Sequence, residues 1–262
     1  MSRFLPDELK NRLLSKRLIF TVTTGRSGTN YLTKMLGYVP GVDSFGEPEP
    51  QFSSVMRSIQ KDKSLAYRFL IKEKLPRIAE MPGPVYVETS HLFCKGFVEP
   101  LLDIGLVPDL ILLKRPHRAV ALSLYMLGTI PGRTEKGLKY CLSPEDPDVL
   151  PVPGWRALHD YQLCYWYCLE IERRSTAYPI MVSDKGGRVV DVSLDEISTA
   201  KGFINLLSSL GLPRPGVLDL VRYMLGKSKP VNTKMDRKKS TMPEEDLDQL
   251  EQEVIGYIGR DF

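Results

Sequence analysis

The sequence has 262 residues, 42% hydrophobic and 26% charged, which excludes disordered and fibrous classes and leaves enough apolar material for one substantial core. Its 36 basic and 32 acidic residues give a net charge of +4, too mild for a nucleic-acid binder but compatible with a few cationic side chains converging on an anionic ligand. No run approaches the ~20 apolar residues of a membrane span, and the first residues carry no apolar signal core. A cytoplasmic protein with no membrane partner is the expectation, and its oligomeric state is left open. Cys94, Cys141, Cys164 and Cys168 show no metal-ligand spacing, so they read as reduced thiols, with Cys164 and Cys168 facing one direction in a core helix.

In chain order, residues 6–16 pattern as a short amphipathic helix and Leu18–Val22 as a strand. A turn through Thr24 and Gly28 leads into a helix carrying Tyr31, Leu32 and Met35, and a short strand falls near Val42. Helical pattern covers 52–75, then a strand at Val85–Glu88, a helix at 97–104, an apolar strand at Leu110–Leu113 and a helix at 116–127. Residues 127–155 are rich in glycine and proline without sustained periodicity, which predicts a long loop over a binding site, here an acceptor-site loop. A strong helix at 156–173, a strand at Arg188–Val192 and helices at 199–210 and 244–258 follow. Strands alternating with helices predict an α/β fold, a three-layer sandwich around a mostly parallel sheet, in a single domain over 1–262.

The segment Thr24-Gly25-Arg26-Ser27-Gly28-Thr29-Asn30-Tyr31 joins the first strand to a helix. Two glycines there let backbone amides approach an anion at the positive end of the helix dipole. Arg26 adds a cation with several donors, and Ser27 and Thr29 add hydroxyls. The spacing is neither GxxxxGK[ST] nor GxGxxG, which counts against a nucleoside-triphosphate loop and a dinucleotide fingerprint. The segment resembles the P-loop-like 5′-phosphosulfate loop of the sulfotransferases that use 3′-phosphoadenosine 5′-phosphosulfate (PAPS). That resemblance implies that Arg26 holds the phosphosulfate, that Gly28, Thr29 and Asn30 cradle the 5′-phosphate, and that Tyr31 lies against the adenine.

A second stretch runs from the apolar strand into Lys114-Arg115-Pro116, with Ser123 two helical turns further on. An arginine and a hydroxyl on one face can share a phosphate, and this pair resembles the one that holds the 3′-phosphate in the same family. The late basic segment with Arg237 and Lys238 resembles, more loosely, the segment that closes over that phosphate.

Sulfuryl transfer needs an in-line geometry, stabilised charge and a base, but no metal when cationic side chains neutralise the leaving phosphate. His91 follows the third strand, where ligands of open α/β sheets bind, and its place in the order is similar to that of the family's catalytic histidine. Glu47, in Gly46-Glu47-Pro48, is the rival, similar in position to a glutamate base of some bacterial sulfotransferases. His117 and His159 read as helical and not catalytic. Glu47, Glu49 and Glu88 all fall near the site in the element order, although scattered surface carboxylates are the commoner outcome. The implied reaction moves the sulfuryl group of PAPS to a hydroxyl or amine of a small-molecule acceptor of natural-product type and releases PAP. A kinase-like enzyme and a non-catalytic nucleotide binder are the alternatives.

Overall fold

The computed structural model describes residues 5–216 and 244–259. Five strands form one parallel sheet: β1 (Arg17–Val22), β2 (Val42–Phe45), β3 (Val85–Glu88), β4 (Asp109–Lys114) and β5 (Val189–Ser193), in the order β2-β3-β1-β4-β5. β1 pairs on one side with β3 (Phe20↔Glu88) and on the other with β4 (Val22↔Leu112). The segments leaving these three strands therefore emerge together at one edge.

Successive residues of a strand point to opposite faces, and both faces of this sheet are apolar. Ile19, Val87, Ile111 and Leu113 pack with α2 (Thr29–Leu36) and α11 (Ala200–Leu210). Leu18, Phe20, Val22, Leu110 and Leu112 face the opposite layer. That layer comprises α6 (Val98–Asp103), α7 (His117–Met126), α9 (Asp160–Ser183) and the helical region of residues 52–80. The result is the expected three-layer arrangement.

Several elements match their sequence patterns closely, including β3 and the last helix, α12 (Glu244–Ile258). The 52–75 pattern is broken: Phe52–Ser54 is a 3-10 turn, α3 (Met56–Ile59) and α4 (Ser64–Phe69) are short, and Leu70–Lys74 is a π-helix leading into α5 (Leu75–Glu80). The π turn carries Lys74 inward, where it is buried against Glu88. The helix expected at 156–173 runs on to Ser183, through Pro179, because Tyr178 and Val182 are buried in the core.

Residues 127–155 are more ordered than a covering loop. They contain α8 (Glu135–Tyr140), and Ile130, Leu142, Leu150 and Val152 enter the core. Glu170 of α9 secures this stretch: its carboxylate accepts from the Leu150 amide (3.0 Å) and from both Arg173 and Arg174. The Trp166 indole donates to the Leu150 carbonyl at 3.0 Å.

Glu170 has no exposed side-chain surface, so replacing it leaves the buried Arg174 charge without its carboxylate. Glu170→Ala is expected to cost about 3–5 kcal/mol in denaturant unfolding. Ile180→Asn, on the same helix but with its side chain in solvent, should stay within about 0.5 kcal/mol of the parent.

Candidate active site

The turn between β1 and α2 is built on a left-handed backbone. Gly25 has φ +78°, Arg26 +57° and Gly28 +97°. Arg26 has a Cβ and pays for this conformation, which persists because the surroundings fix it. Thr24 Oγ1 donates to the Gly25 carbonyl (2.8 Å), Ser27 Oγ donates to the same carbonyl (3.0 Å), and Tyr167 of α9 donates to the Thr24 carbonyl (2.7 Å). Thr24 and Ser27 are buried, so their hydroxyls shape the turn instead of facing outward. The first amides of α2, which a helix leaves without internal partners, open from Gly28, Thr29 and Asn30.

The second sequence element meets this turn directly. Arg115, just beyond β4, donates to the Arg26 carbonyl at 2.6 Å, and Arg26 Nε donates to Ser123 Oγ on α7 at 3.1 Å. Burial and the Arg115 charge both lower the Arg26 pKa. Two guanidinium groups are thus held close together at a half-buried position, an arrangement that an anion between them relieves. A cavity of about 310 Å³ opens beside Arg115, lined in part by Thr23, Thr24, His117 and Glu172. Lys114, in contrast, faces solvent and pairs with Asp191.

His91 follows β3 and lies on the turn: a Cβ added at Gly25 would stand 3.0 Å from the His91 ring. Its Nδ1 is 2.8 Å from Lys95 Nζ and its Nε2 is 3.5 Å from Glu47 Oε1. Burial first, then the Lys95 and Arg26 charges, hold its pKa well below the usual histidine value. The Glu47 side chain keeps 37% of its surface exposed, against 16% for His91. Partial burial raises the Glu47 pKa, and Lys95, Lys74 and Lys139 oppose the rise.

The three carboxylates do converge, but on a lysine. Lys74 pairs with Glu88 at 2.9 Å and feels Glu47 and Glu49 as well. Glu88 is wholly buried, also accepts from Tyr86 (2.6 Å), and is pushed up to about 7 by burial. Its carboxylate is taken up by these two internal partners. Lys74 further donates to the Pro48 and Pro50 carbonyls (3.2 and 3.0 Å), which pins the turn that presents Glu47.

Of the remaining expected site residues, Tyr31 packs against the α2 side of the core and Asn30 is exposed at the start of α2. Arg237 and Lys238 lie outside the described residues. His117 begins α7 and lines the cavity beside Arg115, and His159 caps α9. Sequence reasoning missed Lys95, Lys74, Tyr140 and Tyr167. A signal existed for Lys95, the single charge in the run Leu92-Phe93-Cys94-Lys95-Gly96-Phe97-Val98.

No protein-family model and no curated protein sequence matches the chain. Among solved structures it is similar to the sulfotransferase domain from the curacin biosynthetic pathway, with a TM-score of 0.52 at 14% identity over 82% of this chain and 78% of that one. It is also similar to mouse sulfotransferase SULT7A1 complexed with PAP, with a TM-score of 0.47 at 15% identity over 85% of this chain and 70% of that one. The first likeness gives the fold: this chain has the architecture of a sulfotransferase domain.

Gly25→Ala should place a methyl group against the His91 ring in addition to the strain of a left-handed alanine, roughly 1–2 kcal/mol, and so lower stability by more than that strain alone. Gly105→Ala carries the same kind of strain (φ +90°) with nothing within 4 Å. Calorimetric unfolding should show a loss for both variants, larger for Gly25→Ala than for Gly105→Ala.

Proposed function

We propose that this protein is a PAPS-dependent sulfotransferase that moves a sulfuryl group to a hydroxyl or amine of a small molecule and releases PAP. The observation that carries the reading is the contact of Arg26 with Ser123 and of Arg115 with the Arg26 backbone. Two sequence segments 89 residues apart, each resembling one end of a PAPS site, are bonded to each other in a chain with a sulfotransferase fold.

The residues fit such a donor. The glycine turn offers close backbone approach and the amides at the start of α2 for a 5′-phosphosulfate. Arg26 would neutralise charge on the leaving phosphate, and Arg115 with Ser123 would hold a 3′-phosphate. The hydroxyl proton of the acceptor has two groups within reach of the turn, His91 and Glu47. Residues 127–155, with Tyr140 tilted against His91 at 6.3 Å between ring centroids, would bound the acceptor side.

The 3′-phosphate is the discriminating feature. PAP and PAPS should raise the melting temperature, and ATP and NAD should not. Titration calorimetry should find PAP bound more tightly than adenosine 5′-phosphate, with Arg115→Ala removing about 1.5–3 kcal/mol of that difference. Equal affinity for the nucleotides with and without the 3′-phosphate contradicts the reading.

A further inference from the structure

Lys95 lies between β3 and α6, four residues beyond His91, and is fully buried. A buried ammonium is costly unless its donors are satisfied. Here they are directed at His91 Nδ1 (2.8 Å) and the Tyr140 carbonyl, with the Tyr167 ring face 5.0 Å away. An ammonium has donors and no lone pair, so a ring nitrogen bonded to it must accept. In a neutral imidazole the proton then sits on the other nitrogen. That nitrogen, Nε2, is the one facing Glu47.

We propose that Lys95 is a positioning residue of the transfer site: it fixes His91 as the Nε2–H tautomer, which makes His91 a donor toward Glu47 and leaves the Glu47 carboxylate to take the acceptor's proton. The reaction itself rests on the sulfuryl-transfer reading above; the tautomer does not. In the transfer step the acceptor oxygen or nitrogen forms its bond to sulfur. The bond from sulfur to the bridging phosphate oxygen breaks, and its electron pair leaves with PAP. The acceptor's proton passes to a Glu47 carboxylate oxygen.

The charged surroundings agree with these roles. His91 is faced by Lys95, Arg26 and Glu47, and the two cations with burial keep the ring neutral. Glu47 is faced by His91, Lys95, Lys74 and Lys139, and its pKa lies above the usual carboxylate value, as suits a base. Lys95 is faced by Cys94, Cys141, Glu47 and Arg174 as well as His91, and burial pushes it down to about 8. It therefore remains protonated near neutral pH. Because Lys95 also donates to Tyr140, the residue that orients the histidine is tied to the 127–155 segment.

Long-range proton–nitrogen NMR reads the tautomer without reference to turnover, and the three histidines can be told apart with His91→Gln. The expected spectrum has Nε2 protonated and Nδ1 bare at about pH 7. In Lys95→Met the Nδ1–H form should appear. A wild-type spectrum with Nδ1 protonated overturns the proposal even if that variant does not fold. Glu47→Gln should lower kcat about 10²- to 10⁴-fold with PAP affinity retained, and His91→Gln should lower it less. The wild-type rate should fall as pH drops through the raised Glu47 pKa, and this acid limb should be absent in Glu47→Gln. Unchanged turnover in Glu47→Gln overturns the assignment of the base. The expected tautomer in a protein that turns over no PAPS supports the Lys95 geometry and rejects the sulfotransferase reading.

Discussion

The candidate site depends on a stretch of backbone that L-residues resist, the consecutive left-handed conformations of Gly25 and Arg26. Each carbonyl of Thr24, Gly25 and Arg26 is taken by a donor: Tyr167 from α9, Thr24 and Ser27 within the turn, and Arg115 from beyond β4. With the carbonyls turned toward the protein and bonded, the amides point the other way. Successive amides in such a conformation form a concavity for an anion. Remove the carbonyl partners and the strain at Arg26 has nothing to oppose it. The turn is therefore a product of long-range contacts as much as of its glycines.

A second constraint is the placement of positive charge. Lys74 and Lys95 are both almost wholly buried, yet they meet the cost of desolvation differently. Lys74 pairs with Glu88, a buried ion pair whose net worth is small but whose geometry is demanding. That geometry is used: the same ammonium also holds the Pro48 and Pro50 carbonyls, so the position of Glu47 follows from an ion pair on other elements. Lys95 instead directs its donors to a ring nitrogen and a carbonyl. Burial keeps His91 neutral, and the Lys95 charge adds to that effect.

The parts of the fold that sequence alone revealed are those with local causes. β1, β3 and β4 are short apolar runs bounded by turn residues, and the glycine turn has its own residue chemistry. Both motifs stood out as residue patterns for that reason, although not their direct contact across 97 residues. The 52–75 region was misjudged as one helix because its apolar spacing survives the breaks, and a π turn has no periodic signature. α8 was hidden by the surrounding proline and glycine. Lys74 was invisible, since a lysine in a charged helical run reads as solvated until the fold turns it inward.

The 127–155 stretch was the least legible, and α9 shows why. Tyr167 and Glu170 lie about one turn apart on this helix. Tyr167 ties down the turn after β1, and Glu170 ties down the segment around Leu150. Neither residue has a motif; each reads as ordinary core or as half of an i,i+4 pair. Their importance comes from which backbone groups α9 meets after the sheet has assembled. A glycine turn of this kind is written in a short span because it needs its amides and a cation within a few residues of one another. A long connection packed over the core needs only that distant segments be held at a fixed separation. Here a single helix links two such segments, gripping the glycine turn with one residue and the stretch around Leu150 with another.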